Sequence, residues 1–188
     1  MRSDFELLDA WRAGDLAAGN ELVSRHWASI SRFFRAKVGD DGADLISQTF
    51  LACVEGRDRI DNVKAYLFAI ARRRLADHFR TRARTPAFDL AMSSLADLAT
   101  GPATELSRRQ RGELLHAGLG RIPLDDQIAL ELAYFEQLST RELASVLEIP
   151  ENTVRSRLSR ARDKLRAVLG EMASPEEARL ADSQLGSE

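Results

Sequence analysis

The sequence predicts an all-α protein made of two small helical domains joined by a flexible linker. Three observations lead there. Ala, Leu, Arg and Glu dominate while proline is rare, a composition of residues that lose little on entering a helix. Apolar residues return every three or four positions along most of the chain. Between residues 82 and 106 that rhythm stops, and Thr85-Pro86, Gly101-Pro102 and short runs of Ser, Ala and Thr punctuate any helix. The chain has 188 residues, 44% apolar and 30% charged, enough for two small cores beneath a well-solvated surface.

The elements follow in order. A first helix spans about Asp4 to Ala18, with Phe5, Leu8 and Trp11 at helical spacing and Gly14 and Gly19 loosening it. A second runs from about Asn20 to Lys37 and turns Leu22, Val23, Trp27, Ile30, Phe33 and Phe34 inward; residues 39–42 break it. Trp11 and Trp27 lie on apolar stripes and are expected in the core. A third helix covers about Ala43 to Val54, with Leu45, Ile46, Phe50 and Leu51 inward, and the polar stretch from Glu55 to Asn62 reads as a loop. The fourth runs from about Val63 to Arg80, with Val63, Leu67, Ile70 and Leu75 on one side and Tyr66, Ala71 and Phe79 near its edge. The boundaries are therefore 1–81 for the first domain, 82–106 for the linker, 107–170 for the second domain and 171–188 for a frayed, disordered tail with four Glu and one Asp against one Arg.

Composition also excludes. The single cysteine, Cys53, forms no internal disulfide and is too little for a zinc site, so a buried structural thiol is expected. His26, His78 and His116 are far apart. The N-terminal residues carry charges and no long apolar run, unlike a signal peptide. No stretch approaches the roughly 18 apolar residues a membrane span needs. A cytoplasmic protein without membrane insertion is expected, with no metal, cofactor or small-molecule substrate.

The most informative stretch lies between Leu138 and Leu165. Ser139 and Glu142 have the spacing of a capping box, which starts a short helix. Leu143, Val146 and Leu147 face inward, and Ala144 lets another helix cross closely. Glu148-Ile149-Pro150 reads as a turn, with proline suited to open the next helix. That helix carries the narrow stripe Val154, Leu158, Ala161 and Leu165. At about 100° per residue, Asn152, Ser156, Ser159 and Arg160 fall on the far side, flanked by Arg155 and Arg157. Between Glu151 and Arg166 six cations stand against two carboxylates. Short helix, turn and basic helix form a helix-turn-helix, whose second helix fits a major groove, where arginine and asparagine read base edges.

Charge is unevenly spread over the first domain, although the formal net charge is only −2. Arg72, Arg73, Arg74, Arg80, Arg82 and Arg84, offset only by Asp77, form a second basic patch, suited to a phosphate track. Residues 39–61 hold six carboxylates against Arg57 and Arg59. An acidic helix repels DNA and suits a protein partner.

Together these residues carry a family resemblance. The run from Ile128 to Ser139, then Leu143-Ala144, then Asn152 to Arg162, resembles the C-terminal domain 4 of extracytoplasmic-function (ECF) sigma factors, a sigma-4-like helix-turn-helix domain. Asp44 to Leu51, Ala65 to Arg72 and Leu75 to Arg80 resemble domain 2 of the same family, a sigma-2-like helical bundle. Together the matches cover nearly the whole chain in the family's order. The resemblance implies a protein that binds core RNA polymerase, directs it to promoters and helps open the DNA, with promoter DNA and commonly an anti-sigma factor as its further partners. It implies duplex −35 contacts by Asn152, Thr153, Arg155, Ser156, Arg157, Ser159 and Arg160. It implies −10 contacts among Arg57, Asp58, Arg59, Asn62, Tyr66, Arg72, Arg73, Arg74, His78 and Arg80, with the linker threading the polymerase. It implies polymerase contacts by Asp44, Leu45, Ser47, Gln48 and Phe50. The chain departs from the family's usual residues at Ser47-Gln48 (Gln-Glu), Tyr66 (Trp), Arg73 (Asn) and Glu148 (Gly); if Glu148 needs a positive φ, glutamate there is strained.

Two other classes stand beside this one. A stand-alone helix-turn-helix regulator would bind duplex operators without polymerase, usually as a dimer on a palindrome. An enzyme would need a phosphate loop, a metal cluster or a nucleophile beside a base, and the sequence offers none.

Overall fold

The protein, seen in a computed structural model, is described over residues 2–83 and 112–172. The segments expected as linker and tail lie, from residue 84 and from residue 173, outside the described residues. Every described element is helical. The first unit holds α1 (Asp4–Arg12), α2 (Leu16–Val38), α3 (Gly42–Glu55) and α4 (Val63–Ala83). The second holds α5 (described over 112–119), α6 (Leu124–Tyr134), α7 (Thr140–Leu147) and α8 (Glu151–Met172).

Local chemistry sets the helix starts. Ser3 and Glu6 close a capping box on α1, and the Asp15 carboxylate accepts the Ala18 N–H at 3.1 Å to open α2. The expected helix to Ala18 therefore ends at Arg12, and α2 begins four residues earlier than expected. The break belongs to Gly14, at φ +103°, while Gly19 is inside α2. Gly19 serves packing instead: a Cβ there would stand 2.6 Å from the Trp11 indole nitrogen. Arg12 then ties α1 to the loop after α3, donating to the Ile60 carbonyl at 2.6 Å and the Arg57 carbonyl at 3.2 Å.

Leu8, Trp11, Leu22, Ile30, Phe33, Phe34, Leu67 and Leu75 are buried as expected, joined by Leu7, Ile60 and Phe68. A fully buried side chain of this size contributes about 1.5–3 kcal/mol. Three expectations fail. Phe5 is 66% exposed because the nine-residue α1 packs on α2 through the narrower Leu7–Leu8–Trp11 stripe. Leu51 is 59% exposed, one residue round α3 from the buried Phe50. Trp27 is 48% exposed: Phe50 fills the space behind it, and the indole lies stacked on that ring at 5.3 Å. Cys53 is buried as expected, and burial pushes its thiol up to about 11.

The two units are not held apart. One continuous apolar core runs from α1–α4 into Ile128, Leu132, Leu143, Val146, Leu147 and Val154 of the second unit, with α7 lying along α4. A smaller cluster of Leu119, Ile122, Leu130 and Ala161 joins α5, α6 and α8. Gly19→Ala is expected to lower stability by about 1–3 kcal/mol through overpacking against Trp11, read as a lower urea midpoint.

Candidate nucleic-acid and polymerase interfaces

The helix-turn-helix forms as its residues dictate. The Ser139 hydroxyl accepts the Glu142 N–H at 3.3 Å, and the Glu142 carboxylate accepts the Ser139 N–H at 2.6 Å. Leu143, Val146 and Leu147 are buried beneath α7. Glu148 ends it in the left-handed region at φ +57°, the conformation for which glycine is usual. Along α8 only Val154 and Ala161 are buried, while Leu158 and Leu165 are half-buried.

Of the residues expected on duplex DNA, Asn152, Arg155, Ser156, Ser159 and Arg160 share an exposed face and Thr153 is half-buried. The Ser156 hydroxyl donates to the Thr153 carbonyl at 3.0 Å and Arg160 Nε to the Ser156 carbonyl at 3.3 Å, which holds both against the helix. Arg157 is turned the other way: it is half-buried and pairs with Asp125 of α6 at 3.3 Å. Lys164 reaches Asp126 at 2.6 Å, so two ion pairs fix α8 on α6.

The first unit places its expected −10 residues differently. Arg57 lies over the Trp11 ring at 5.9 Å, in a short 3-10 turn with the exposed Asp58 and Arg59. Asn62 caps α4, its side-chain oxygen accepting the Ala65 N–H at 2.9 Å. Tyr66 is half-buried against Gly56, where a Cβ would stand 2.1 Å from the tyrosine hydroxyl. Arg74 and His78 are half-buried on α4, and Arg80 pairs with Asp77. Arg82, in the same basic patch, meets Asp41.

On α3, Asp44 and Ser47 are exposed and Gln48, half-buried, donates to Asp44 at 2.6 Å. Leu45 and Phe50, expected to face the polymerase, are instead buried in the core, since they carry α3 onto its neighbours. The exposed apolar surface beside Ser47 is Leu51, Val54 and Trp27. Leu51 and Val54 stand four and seven residues after Ser47, a spacing that puts them on its face of the helix; that signal was present in the sequence.

A set of carboxylates on the second unit, with no local signal in the sequence, meets the first unit. Glu131 pairs with Lys37, whose side chain is 1% exposed; burial pulls that amine below its ordinary range and Glu131 partly restores it. Glu136 receives Arg32 at 3.2 Å and Lys64 at 3.1 Å. Asn62 donates to Glu142 at 2.7 Å. Glu148 accepts from Arg73 Nε at 3.1 Å, and Arg72 lies 3.9 Å from Glu148 and 3.6 Å from Asp125. Lys37 and Glu131 are largely shut from water, whereas the exposed Arg73–Glu148 pair stays solvated and contributes little to stability.

Among the described residues no cluster suits a metal ion and no helix is long and apolar enough to cross a membrane. The sigma-70 region 2 family model matches residues 22–85 and the sigma-70 region 4 model residues 112–165. The RNA polymerase sigma factor NccH of Alcaligenes xylosoxydans xylosoxydans is 30% identical, over 83% of this chain and 89% of that protein. The ECF RNA polymerase sigma factor SigM of Mycobacterium tuberculosis is 29% identical, over 90% and 86%. A solved structure of CnrH in complex with the cytosolic domain of CnrY superposes with TM-score 0.64 at 26% identity, covering 89% of this chain and 97% of that one. The sigma factor RpoE of Bartonella quintana, solved in complex with the anti-sigma factor NepR, has the same fold, with TM-score 0.67 at 21% identity and covering 80% and 96%. This chain belongs to the ECF subfamily of the sigma-70 family of RNA polymerase sigma factors. As a sigma factor it directs promoter-specific initiation of transcription.

Glu142 and Glu148 both titrate below the ordinary glutamate value of 4.5, Glu142 chiefly through the Ser139 hydroxyl and Glu148 chiefly through Arg73. A lowered folded value means the carboxylate's stabilising effect is complete above the ordinary value and is lost as pH falls through the folded one. Glutamine keeps a capping box, so Glu142→Gln is expected to lower the urea midpoint modestly near neutrality, with the gap to wild type closing as pH falls below about 4.5, so that the variant's midpoint falls less steeply there.

Proposed function

We propose that this sigma factor divides promoter recognition between two faces. The α8 face of Asn152, Thr153, Arg155, Ser156, Ser159 and Arg160 reads duplex DNA at the −35 element. Arg157, paired with Asp125, positions that helix and releases to phosphate only if the pair opens. The length of α4 and the turn before it bind the separated −10 strand, through Arg57, Asp58, Arg59, Asn62, Tyr66, Arg72, Arg73, Arg74, His78 and Arg80. Residues 1–81 and 107–170 act as the two recognition domains and 82–106 as the connection between them. The protein contributes no catalytic step of its own; bond formation belongs to the polymerase.

The observation that carries this reading is the exposed face of α8, where short polar side chains alternate with arginines behind a capped α7 and a tight turn. A groove admits short residues at its floor and long basic ones at its walls. For the polymerase, α3 offers Asp44, Ser47 and Gln48 beside Leu51, Val54 and Trp27. An apolar centre with a polar rim is the usual make-up of a protein interface. Leu45 and Phe50 shape that surface from beneath. The solved structures of CnrH with CnrY and RpoE with the anti-sigma factor NepR support an anti-sigma partner for this chain as well.

In run-off transcription on a pool of promoters, RNA is expected only when core polymerase and this protein are both present; no RNA with both present contradicts the reading. Arg155→Ala and Arg160→Ala are each expected to weaken duplex promoter binding by about 1–3 kcal/mol. Co-purification with core polymerase is expected to be unchanged, because α8 lies apart from α3.

A further inference from the structure

Resting on the assignment of the 57–59 turn to the separated −10 strand, we propose that Arg12 of α1 is a positioning residue for strand recognition. Its guanidinium holds the turn in the shape that presents Asp58 and Arg59, and it touches no nucleic acid itself.

The turn is weakly fixed by its own backbone. The Arg59 N–H donates to the Gly56 carbonyl at 2.9 Å, and the Ile60 N–H to the Arg57 carbonyl at a long 3.4 Å. Bonds of this 3-10 type have poorer geometry than those of an α-helix. Asp58, Arg59, Asp61 and Asn62 are exposed, while Ile60 is buried and anchors the segment in the core. Arg12 adds a constraint from another helix. Its Nε donates to the Arg57 carbonyl at 3.2 Å and its Nη2 to the Ile60 carbonyl at 2.6 Å. These nitrogens form one edge of a planar group, so a single rigid fork fixes both carbonyls. Its other terminal nitrogen faces Asp9, one turn back on α1, at 3.6 Å.

The carbonyls taken by Arg12 bracket Asp58 and Arg59. With both carbonyls drawn toward α1, the two side chains between them project to solvent. The turn is held on its other side as well. The Tyr66 hydroxyl fills the place of a Gly56 side chain, where a Cβ would stand 2.1 Å away, and Gly56 itself is at φ −94°, open to any residue. That glycine therefore serves contact and not conformation. Ordering a loose turn as a base arrives costs affinity, and a turn ordered beforehand avoids that cost. The fold does not need Arg12 in the same way. Leu7, Leu8 and Trp11 carry α1 onto α2, and Arg12 is half-buried at the edge of that contact. Its effect falls on recognition more than on folding.

Core polymerase carrying the full chain first selects a −10 non-template strand and a −35 duplex from random pools. Both DNAs are then labelled and titrated by fluorescence anisotropy. Arg12→Gln removes the fork, and Arg12→Lys keeps the charge but offers a point donor in its place. Both variants are expected to bind the strand about 5- to 10-fold more weakly and to discriminate less between bases within the −10 sequence, with duplex affinity changed less than about 2-fold. The salt dependence of strand binding is expected to match wild type in both. A slope lowered by about one in Arg12→Gln would make Arg12 a phosphate contact and overturn its positioning role. Wild-type strand affinity and base preference in Arg12→Gln would overturn it too, as would equal losses on strand and duplex, the mark of general loosening. Wild-type behaviour of Arg12→Lys would assign the effect to charge and overturn the fork. Asp58→Ala and Arg59→Ala are measured alongside. If both leave strand binding unchanged, the assignment of the turn falls and the role of Arg12 with it; if they weaken it while the Arg12 variants do not, the role of Arg12 alone falls.

Discussion

The polar flank of α4 has more donors than its own unit can satisfy, and carboxylates of the second unit supply much of the balance. Asn62, Lys64, Arg72 and Arg73 face Glu142, Glu136, Asp125 and Glu148 across the seam, while the apolar side of α4 shares one core with α7. Neither half alone explains the arrangement. The apolar contact drives association and is non-directional, whereas the ion pairs fix which helix lies against which. Lys37 shows this most plainly: an amine with 1% of its side chain exposed is tolerable only with Glu131 against it.

From that seam the division of labour follows. Three of the helices in the first unit are spent on building a rigid platform, and Trp27 and Leu51 emerge from it because Phe50 has already filled the core behind them. The second unit uses α6 to brace α8 through Asp125 and Asp126, which take Arg157 and Lys164 out of the cationic face. What remains exposed on α8 is a mixture of short polar and long basic side chains, suited to a groove. The face of α8 proposed for duplex DNA is thus exposed, while Asn62, Arg72 and Arg73 of the set proposed for the separated strand meet carboxylates of the second unit.

Much of this was legible in the sequence. Ser139 and Glu142 foretold the start of α7, Glu148-Ile149-Pro150 the turn, and the Val154–Ala161 spacing the buried stripe, because each is a local signal with a local cause. The family could be read from two segments in the right order. Three things were hidden. Gly14 and Gly19 look alike in sequence, and only the Trp11 indole packed on Gly19 shows that one breaks the helix while the other permits a close crossing. Helical periodicity put Trp27 and Leu51 inward because it cannot count how many neighbours a helix has. The seam was invisible for a deeper reason: its pairs join residues far apart in the chain, 75 positions for Arg73 with Glu148 and 104 for Arg32 with Glu136. No local pattern records such a meeting. Glu148 in place of the family's usual glycine was the one visible trace of it.

Hydrogen exchange on the free protein and on its complex with core polymerase tests the account most directly. If one body both shields and presents the strand-binding surface, amides of α7 and of the first turns of α4 are well protected in the free chain and exchange faster once the polymerase is bound, while α1–α3 keep their protection. Unchanged protection of the α4–α7 seam in a complex that initiates transcription would contradict it.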